Sequence, residues 1–290
     1  EKGNPSFTKS FLENNPHKIP KAIVEARSYN KARGTFTNMI NKFHHNGRIH
    51  ANINQLRSDS GGTVTGRFSY NNPNLQQIPA RDSANAELKI GTLIRSLFLP
   101  EEGEKWGSFD YSQQEPRLVV HYANKVGLDG SKKLLEAYRE DKNTDFHTIM
   151  AEIANIPRKS AKTINLGLFY GMGVGKLSDQ LGIDPDEAKA LIRQYNERVP
   201  FVRQLADKVS DHAQRKGRVR TILGRQCRFD LWEPKSFGVH KAYPHEKAVE
   251  EYGSNIGLKR AGTYKSLNRL IQGSAADQIK KAMEELHKEG

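Results

Sequence analysis

The chain has 290 residues, with 46 lysines and arginines against 33 aspartates and glutamates, so its formal net charge is +13. Hydrophobic residues make up 36% of the sequence, which suffices for a globular core and excludes a disordered basic tail. No apolar run approaches the roughly 18 residues of a membrane span, so we expect no membrane contact. The positive excess favours polyanionic partners, nucleic acid first, although the same charge could serve only solubility.

Cysteine usage and the first residues bear on the cellular compartment. Cys227 is the single cysteine, which excludes an internal disulfide, and no Cys/His spacing is typical of a structural zinc site. The chain opens on Glu1 and lacks the apolar core of a signal peptide. We therefore expect an unexported, cytoplasmic protein, cut from something longer.

The first part of the chain mixes helical and extended patterns. Residues 17–42 show helical spacing, and residues 49–53 alternate as a strand does. Residues 58–81 are polar and almost without apolar periodicity, which is typical of a ligand-contacting segment rather than a core. The short apolar runs at 97–99 and 106–109 predict a β-hairpin, with a helix after Asp110.

The rest of the chain is mostly helical. Between residues 130 and 216, three prolines mark helix starts, at Pro157, Pro185 and Pro200. Residues 218–229 predict a second hairpin, and residues 266–287 predict a final amphipathic helix. Strands before and after a helical middle indicate an α+β fold with a helical insertion.

Asp110 is the first candidate for chemistry. A carboxylate at the end of a predicted strand is well placed to hold Mg²⁺, which binds through one or two carboxylates plus substrate phosphates. The alternative is a plain helix cap, because Ser112 and Glu115 have the spacing of a capping box.

A helix predicted over 158–171 offers a second candidate. Steps of four residues keep side chains within about a third of the helix circumference. One face then carries two cations near the helix N-terminus, an aliphatic side chain and an aromatic ring: Arg158, Lys162, Leu166 and Tyr170. The cations and the helix dipole suit a triphosphate. The alternative is an ordinary amphipathic helix with solvated basic residues.

Two further features suit a nucleic acid. Arg67 precedes an amide-rich stretch at 71–77, and such side chains match the acceptors that the minor groove presents in nearly the same way at every base pair. Residues 203–228 hold eight lysines and arginines against two aspartates, which could follow a phosphate backbone or form a solvated face. Gln272 lies beside Gly273 within the final helix, where glycine more often makes a packing notch than a site.

The order of these features resembles the family A DNA polymerases, of the DNA polymerase I type, and looks phage-like. The similar segments are TGRFSYNNPNLQQIPAR at 65–81, FDYSQQEPR at 109–117 (motif A), RKSAKTINLGLFYGMG at 158–173 (motif B) and LNRLIQGSAADQIKKAM at 267–283. The resemblance implies a right-hand polymerase, with an antiparallel palm sheet and a largely helical fingers insertion. Its parts would be the base of the thumb at 1–46, the first part of the palm at 47–125, the fingers at 126–262 and a palm helix at 263–290.

The resemblance also implies roles for individual residues. The Asp110 carboxylate and the Tyr111 carbonyl would hold two Mg²⁺ ions. Glu115 would exclude a ribose 2′-hydroxyl, near Tyr170. Catalytic roles would fall to Asp110, Lys162, Arg158, Tyr170 and Glu115. The dNTP would contact His147, Arg158, Lys162, Leu166, Tyr170, Glu115 and Gln113. Primer-template DNA would contact Arg67, Asn74, Gln76, Arg81, Asn268 and Gln272.

Several positions depart from the family pattern. Leu166 stands where the family usually has Phe or Tyr, and Pro116 replaces a Leu after Glu115. The second metal carboxylate, in a His-Asp-Glu turn called motif C, does not occur before residue 290. We therefore expect this chain alone to be inactive, with motif C supplied by a missing C-terminal segment or a second chain. The alternatives are a non-catalytic DNA-binding fragment and a relative of single-subunit RNA polymerases.

Overall fold

The computed structural model describes residues 7–59, 61–79, 82, 89–170, 172–236 and 238–289. For five further helical residues the structure describes the backbone but not the side chain: Lys9, Ser10, Asn14, Leu168 and Tyr170. The chain divides into two compact units. The first comprises the described parts of 1–62 and 68–108, and the second comprises 63–67 and the described parts of 109–290. None of the described helices combines the length and apolarity that a bilayer span requires.

The first unit begins with helices and continues with short strand pairs. Its helical segments are α1 (Lys9–Asn14), α2 (Lys18–Lys31), a π-helical segment (Ala32–Thr37) and α3 (Asn38–Phe43). These confirm the helix predicted over 17–42. The other elements are β1 (His44–His45), β2 (Arg48–Ile49), β3 (Asn52–Asn54), β4 (Ser69–Asn71), a 3-10 turn (Leu75–Gln77) and α4 (Ile90–Ser96). The strands pair antiparallel, β1 with β2 and β3 with β4, so the strand expected at 49–53 is divided between two pairs.

The hairpin predicted from residues 97–99 and 106–109 is wrong. Neither run is a strand, and a turn at 101–104 joins them without cross-strand hydrogen bonds among the described residues. Leu99, Trp106 and Phe109 are all exposed. An isolated two-stranded hairpin is marginal in water, and here only Phe98 is even half-buried, which is too little to offset the entropy cost of ordering the backbone.

The second unit is built on seven consecutive helices. They are α5 (Gln114–Lys125), α6 (Ser131–Glu140), α7 (Phe146–Ala154), α8 (Arg158–Tyr170), α9 (Val174–Leu181), α10 (Pro185–Arg198) and α11 (Pro200–Lys216). The three prolines lie at helix starts, as predicted. Gly217 ends α11 in the left-handed region with a φ of 67°, which a glycine adopts without strain.

The C-terminal part of the second unit contains the remaining strands and the longest helix. Its elements are β5 (Arg218–Arg220), β6 (Gln226–Arg228), β7 (Leu231–Pro234), β8 (Tyr243–Pro244), α12 (His245–Tyr252), β9 (Leu258–Arg260), a 3-10 turn (Thr263–Lys265) and α13 (Ser266–Glu289). The hairpin predicted at 218–229 is β5–β6, and the predicted final helix is α13. The described residues of 230–262, a segment for which the sequence indicates no role, form an antiparallel sheet in the order β8-β7-β9 with α12. The α+β class is confirmed.

The core of the second unit places α13 against α5, α8 and α11. Its largest fully buried side chains include Phe146, Phe169 and Tyr195. Gly273 lets α13 approach the β5–β6 hairpin closely, because a Cβ there would lie 2.7 Å from a methyl of Thr221. Gly273 is therefore the packing notch that the sequence indicates.

Candidate functional site

The N-terminal ends of α7 and α8 are tied together by an ion pair. Asp145 caps α7 by accepting the Thr148 amide at 2.8 Å, and its other oxygen accepts from Arg158 Nη2 at 2.6 Å. Arg158 Nε also donates to Thr148 Oγ1, at 3.1 Å. Partial burial opposes ionisation of Asp145, but these hydrogen bonds outweigh it, so its pKa lies below the ordinary value. Arg158, expected to bind a triphosphate, is thus already oriented by protein partners.

His147 lies on the first turn of α7 and is buried. Its Nδ1 is 3.0 Å from the Asn165 amide nitrogen, and the Tyr195 hydroxyl donates to the Asn165 oxygen. Burial lowers the pKa of His147; Asp145 opposes this effect, while Lys162 and Arg158 add to it. His147 is therefore neutral near pH 7 and joined to a buried polar network.

The other predicted residues of the α8 face are Lys162, Leu166 and Tyr170. Lys162 is exposed, and no ion pair or hydrogen bond of its ammonium group is found among the described residues. Leu166 is half-buried, whereas the side chain of Tyr170 lies outside the described residues. In the described part of this face, one cation is paired and the other is available to an anion.

Asp110 lies in an irregular segment rather than at a strand end, which corrects the expectation from sequence. Asp110 and Tyr111 are both exposed. The described residues contain no group of three or more His, Cys, Asp or Glu side chains that could hold a metal ion. What the segment offers a cation is one carboxylate and the neighbouring backbone carbonyl.

Gln113 connects α5 to α7. It precedes α5 with a φ of 51°, and its Oε1 accepts the Phe146 amide at 2.8 Å. Its Nε2 donates to the Thr144 carbonyl, also at 2.8 Å. Both ends of this amide therefore hold the start of α7, next to His147.

Glu115 forms an ion pair with Arg67 instead of a capping box with Ser112. Helix α5 begins at Gln114, and no side chain caps its first turn among the described contacts. The Glu115 side chain is mostly buried, and that of Arg67 is about half exposed. The pair joins the residue expected to exclude the 2′-hydroxyl to one expected to contact the minor groove.

Residues 63–67, which carry Arg67, are held by Arg225. Its Nη2 donates to the Thr65 carbonyl at 2.6 Å, and its Nε donates to Asp277 Oδ1 at 2.8 Å. Asn268 and Gln272 lie one turn apart on α13 and are partly buried. All of these groups belong to the second unit.

The remaining predicted DNA contacts lie in the first unit. The Asn74 side chain accepts the Gln76 amide at 3.1 Å, and Gln76 Nε2 donates to the Phe68 carbonyl at 3.2 Å. Both side chains therefore stabilise the turn that contains them. Arg81 lies outside the described residues.

The sequence motifs predict no roles for Asn165 and Tyr195, and they place Arg225 only among the basic residues of 203–228. Asn165 could have been found, because the spacing of Ala161, Ile164 and Phe169 marks the buried face of α8, and a buried amide needs partners. Tyr195 and Arg225 have no such local signal, since their partners are distant in sequence.

Comparisons with known proteins agree with the motif order. A sequence model of DNA polymerase family A matches residues 1–290. A DNA-directed DNA polymerase of Pseudomonas phage M6 is 36% identical over 97% of this chain and 45% of that protein. DNA polymerase I of Pseudomonas aeruginosa is 31% identical over 97% of this chain and 28% of that protein.

A solved structure is also similar to this chain. The POL domain of Pol1 from M. smegmatis, in complex with DNA primer-template and dNTP, matches with a TM-score of 0.71 and 29% identity. The match covers 98% of this chain and 46% of that chain. The chain thus spans less than half the length of these similar proteins. The resemblance seen in the sequence is confirmed: the chain belongs to DNA polymerase family A.

Proposed function

We propose that the protein containing this chain carries out template-directed DNA synthesis, in the replication of a phage inside its bacterial host. The primer 3′-hydroxyl would attack the α-phosphate of a dNTP, and pyrophosphate would leave. The observation that carries the proposal is the end of α8, where Arg158 is oriented, Lys162 is unpaired among the described residues and a neutral His147 lies nearby, within a family A chain.

These groups suit a triphosphate because phosphoryl transfer depends mainly on positioning and on stabilising negative charge. Lys162 would bind as a compact point charge. The described contacts of Arg158 use Nε and Nη2, which leaves Nη1 for a phosphate oxygen. His147 would donate a neutral hydrogen bond. A phosphate oxygen could therefore bind Nη1 while the Asp145–Arg158 pair stays intact.

Family A enzymes are expected to use a divalent metal, and we propose Mg²⁺. The Asp110 carboxylate and the Tyr111 carbonyl supply oxygen ligands, which Mg²⁺ takes together with substrate phosphates and water. These residues fit an ion shared with a bound triphosphate, which would polarise the phosphate and lower the pKa of the attacking hydroxyl. A second ion needs a further carboxylate, from another segment of the protein or from a partner chain.

The other assignments are also proposals. Glu115, Leu166 and Tyr170 would shape the sugar pocket, and Gln113 would hold the start of α7 beside the nucleotide. The proposed contacts to primer-template DNA are Arg67, Asn74, Gln76, Arg81, Asn268 and Gln272. Residues 1–46 would belong to the thumb, 47–125 and 263–290 to the palm, and 126–262 to the fingers.

Primer extension tests the proposal directly. In the protein that contains this chain, Asp110→Ala should lower the rate of dNMP incorporation by about a thousandfold or more, a loss of about 4 kcal/mol in transition-state stabilisation. Affinity for primer-template DNA, measured by fluorescence anisotropy, should stay within about twofold. Asp129→Ala, which removes another exposed carboxylate of the second unit, should leave incorporation unchanged. Near-normal extension by the Asp110 variant would refute the assignment.

A further inference from the structure

We propose that Asn165 and Tyr195 are positioning residues that keep the proton of His147 on Nε2, where it can donate to an oxygen of the bound triphosphate. The inference rests on the proposed function for the identity of the ligand. The tautomer itself follows from contacts within the second unit.

The direction of each hydrogen bond follows from the chemistry of its partners. The Tyr195 hydroxyl donates to Oδ1 of Asn165, so the amide NH₂ group faces His147. That nitrogen is 3.0 Å from His147 Nδ1, and an amide NH₂ can only donate. Nδ1 must therefore accept, and in a neutral ring the proton is then on Nε2.

The network is rigid because it is buried. The relative exposure of Asn165 and of Tyr195 is 0%, and burial raises the pKa of the Tyr195 phenol, which keeps this donor protonated. The His147 ring also packs edge-on against Phe146, with ring centroids 5.7 Å apart. The alternative amide orientation would turn NH₂ toward Tyr195 and leave the hydroxyl proton of this buried phenol without an acceptor among the described contacts, which is costly in a dry site.

The Nε2 side of the His147 ring has the hydrogen-bonding chemistry that a triphosphate requires. Among the described residues, no hydrogen bond of His147 Nε2 is found, and the charged side chains that act on the ring are Asp145, Lys162 and Arg158. A phosphate oxygen accepts hydrogen bonds only, so Nε2 must carry the proton to bind it. The opposite tautomer would turn a lone pair toward the phosphate.

An isosteric substitution reverses the polarity of the network. Asn165→Asp replaces the donor to Nδ1 with an acceptor, while its other oxygen still accepts from Tyr195. We expect His147 Nδ1 to carry a proton in this variant and to donate it to the carboxylate, whose negative charge favours a proton there. Tyr195→Phe should produce a mixture of tautomers, because the amide of Asn165 is no longer oriented. Tyr252→Phe makes the same chemical change at a remote hydroxyl, which donates to the Lys241 carbonyl, and should have no effect.

The tautomer can be measured without any activity. Long-range ¹H–¹⁵N correlation spectra of protein labelled with ¹⁵N-histidine distinguish the two nitrogens, and His147→Gln identifies the signal. The wild-type ring should carry its proton on Nε2 at pH 8. The positioning role is overturned if the wild-type proton is on Nδ1, or if folded Asn165→Asp keeps the wild-type tautomer.

Binding of dNTP separates this inference from the proposed function. Asn165→Asp should raise the Kd for dNTP about tenfold, which corresponds to about 1.4 kcal/mol, and Tyr252→Phe should leave it within twofold. An Asn165→Asp variant with the altered tautomer and a wild-type Kd would refute the donation to the triphosphate. If the tautomer follows Asn165 but the wild type binds no dNTP, the proposed function fails and the positioning pair stands.

Discussion

Two regions of the second unit carry residues proposed for one reaction, but they are built differently. In the α7–α8 corner (residues 145–170), buried rings and paired polar groups hold Arg158 and His147 in place. In the Asp110 segment (residues 109–112), no backbone N–H bonds to another backbone group among the described residues, and Phe109 is 91% exposed. The proposed phosphate-binding side is therefore held in place by contacts within the chain, whereas the proposed metal-binding side has few such contacts among the described residues.

Hydrogen exchange should show the largest difference between these regions. Amides in the middle of α8, such as those of Ile164 and Asn165, exchange only when the helix opens, whereas the amides of 109–112 are exposed without opening. Protection factors should differ by about a thousandfold or more, measured by mass spectrometry on the chain without ligands. Equal protection in both regions would contradict the contrast, because it would mean that the Asp110 segment is as well ordered as α8.

A matched pair of Phe substitutions tests whether the α7–α8 corner and the Asp110 segment also differ in how their side chains are packed. Phe146→Ala should lower the free energy of unfolding by about 3–5 kcal/mol, because it opens a cavity around a side chain that is fully buried. Phe109→Ala should change it by at most about 0.5 kcal/mol, since the ring is almost fully exposed. Urea denaturation of both variants measures this difference. A large loss from Phe109→Ala would mean that the segment is packed after all.

Loss of the Asp145–Arg158 ion pair should lower the free energy of unfolding by less than Phe146→Ala does, and the loss should depend on pH. Asn can replace Asp as the cap of α7, so Asp145→Asn isolates the ion pair, which is partly exposed and contributes at most about 1 kcal/mol at pH 7. The folded-state pKa of Asp145 is below its unfolded value, so this contribution is present above about pH 4 and is lost as pH falls through the folded pKa. The stability difference between wild type and variant should therefore shrink as the pH falls below about 4 and the Asp145 carboxylate becomes protonated. A difference that does not change as the pH falls below about 4 would exclude the ion pair as its source.

The two regions also differ in how well sequence predicts them. Helix α8 makes its hydrogen bonds within itself, so a spacing of four and a preceding proline suffice to place Arg158 and Lys162 on one face. A strand needs a partner that local sequence does not name, so the apolar run before Asp110 does not specify a strand on its own. Contacts such as Tyr195 with Asn165 join residues of different helices, and only tertiary packing reveals them.

The most direct test of the triphosphate site is equilibrium binding of a dNTP with Mg²⁺ to three forms of the protein: wild type, Lys162→Ala and Lys133→Ala. Both lysines are exposed in the second unit, but Lys133 lies on α6 and has no proposed role. We expect Lys162→Ala to raise the Kd about tenfold or more, because a charged hydrogen bond to phosphate is lost, while Lys133→Ala stays within twofold. Equal effects of the two substitutions would contradict a triphosphate site on the Arg158–Lys162 face of α8.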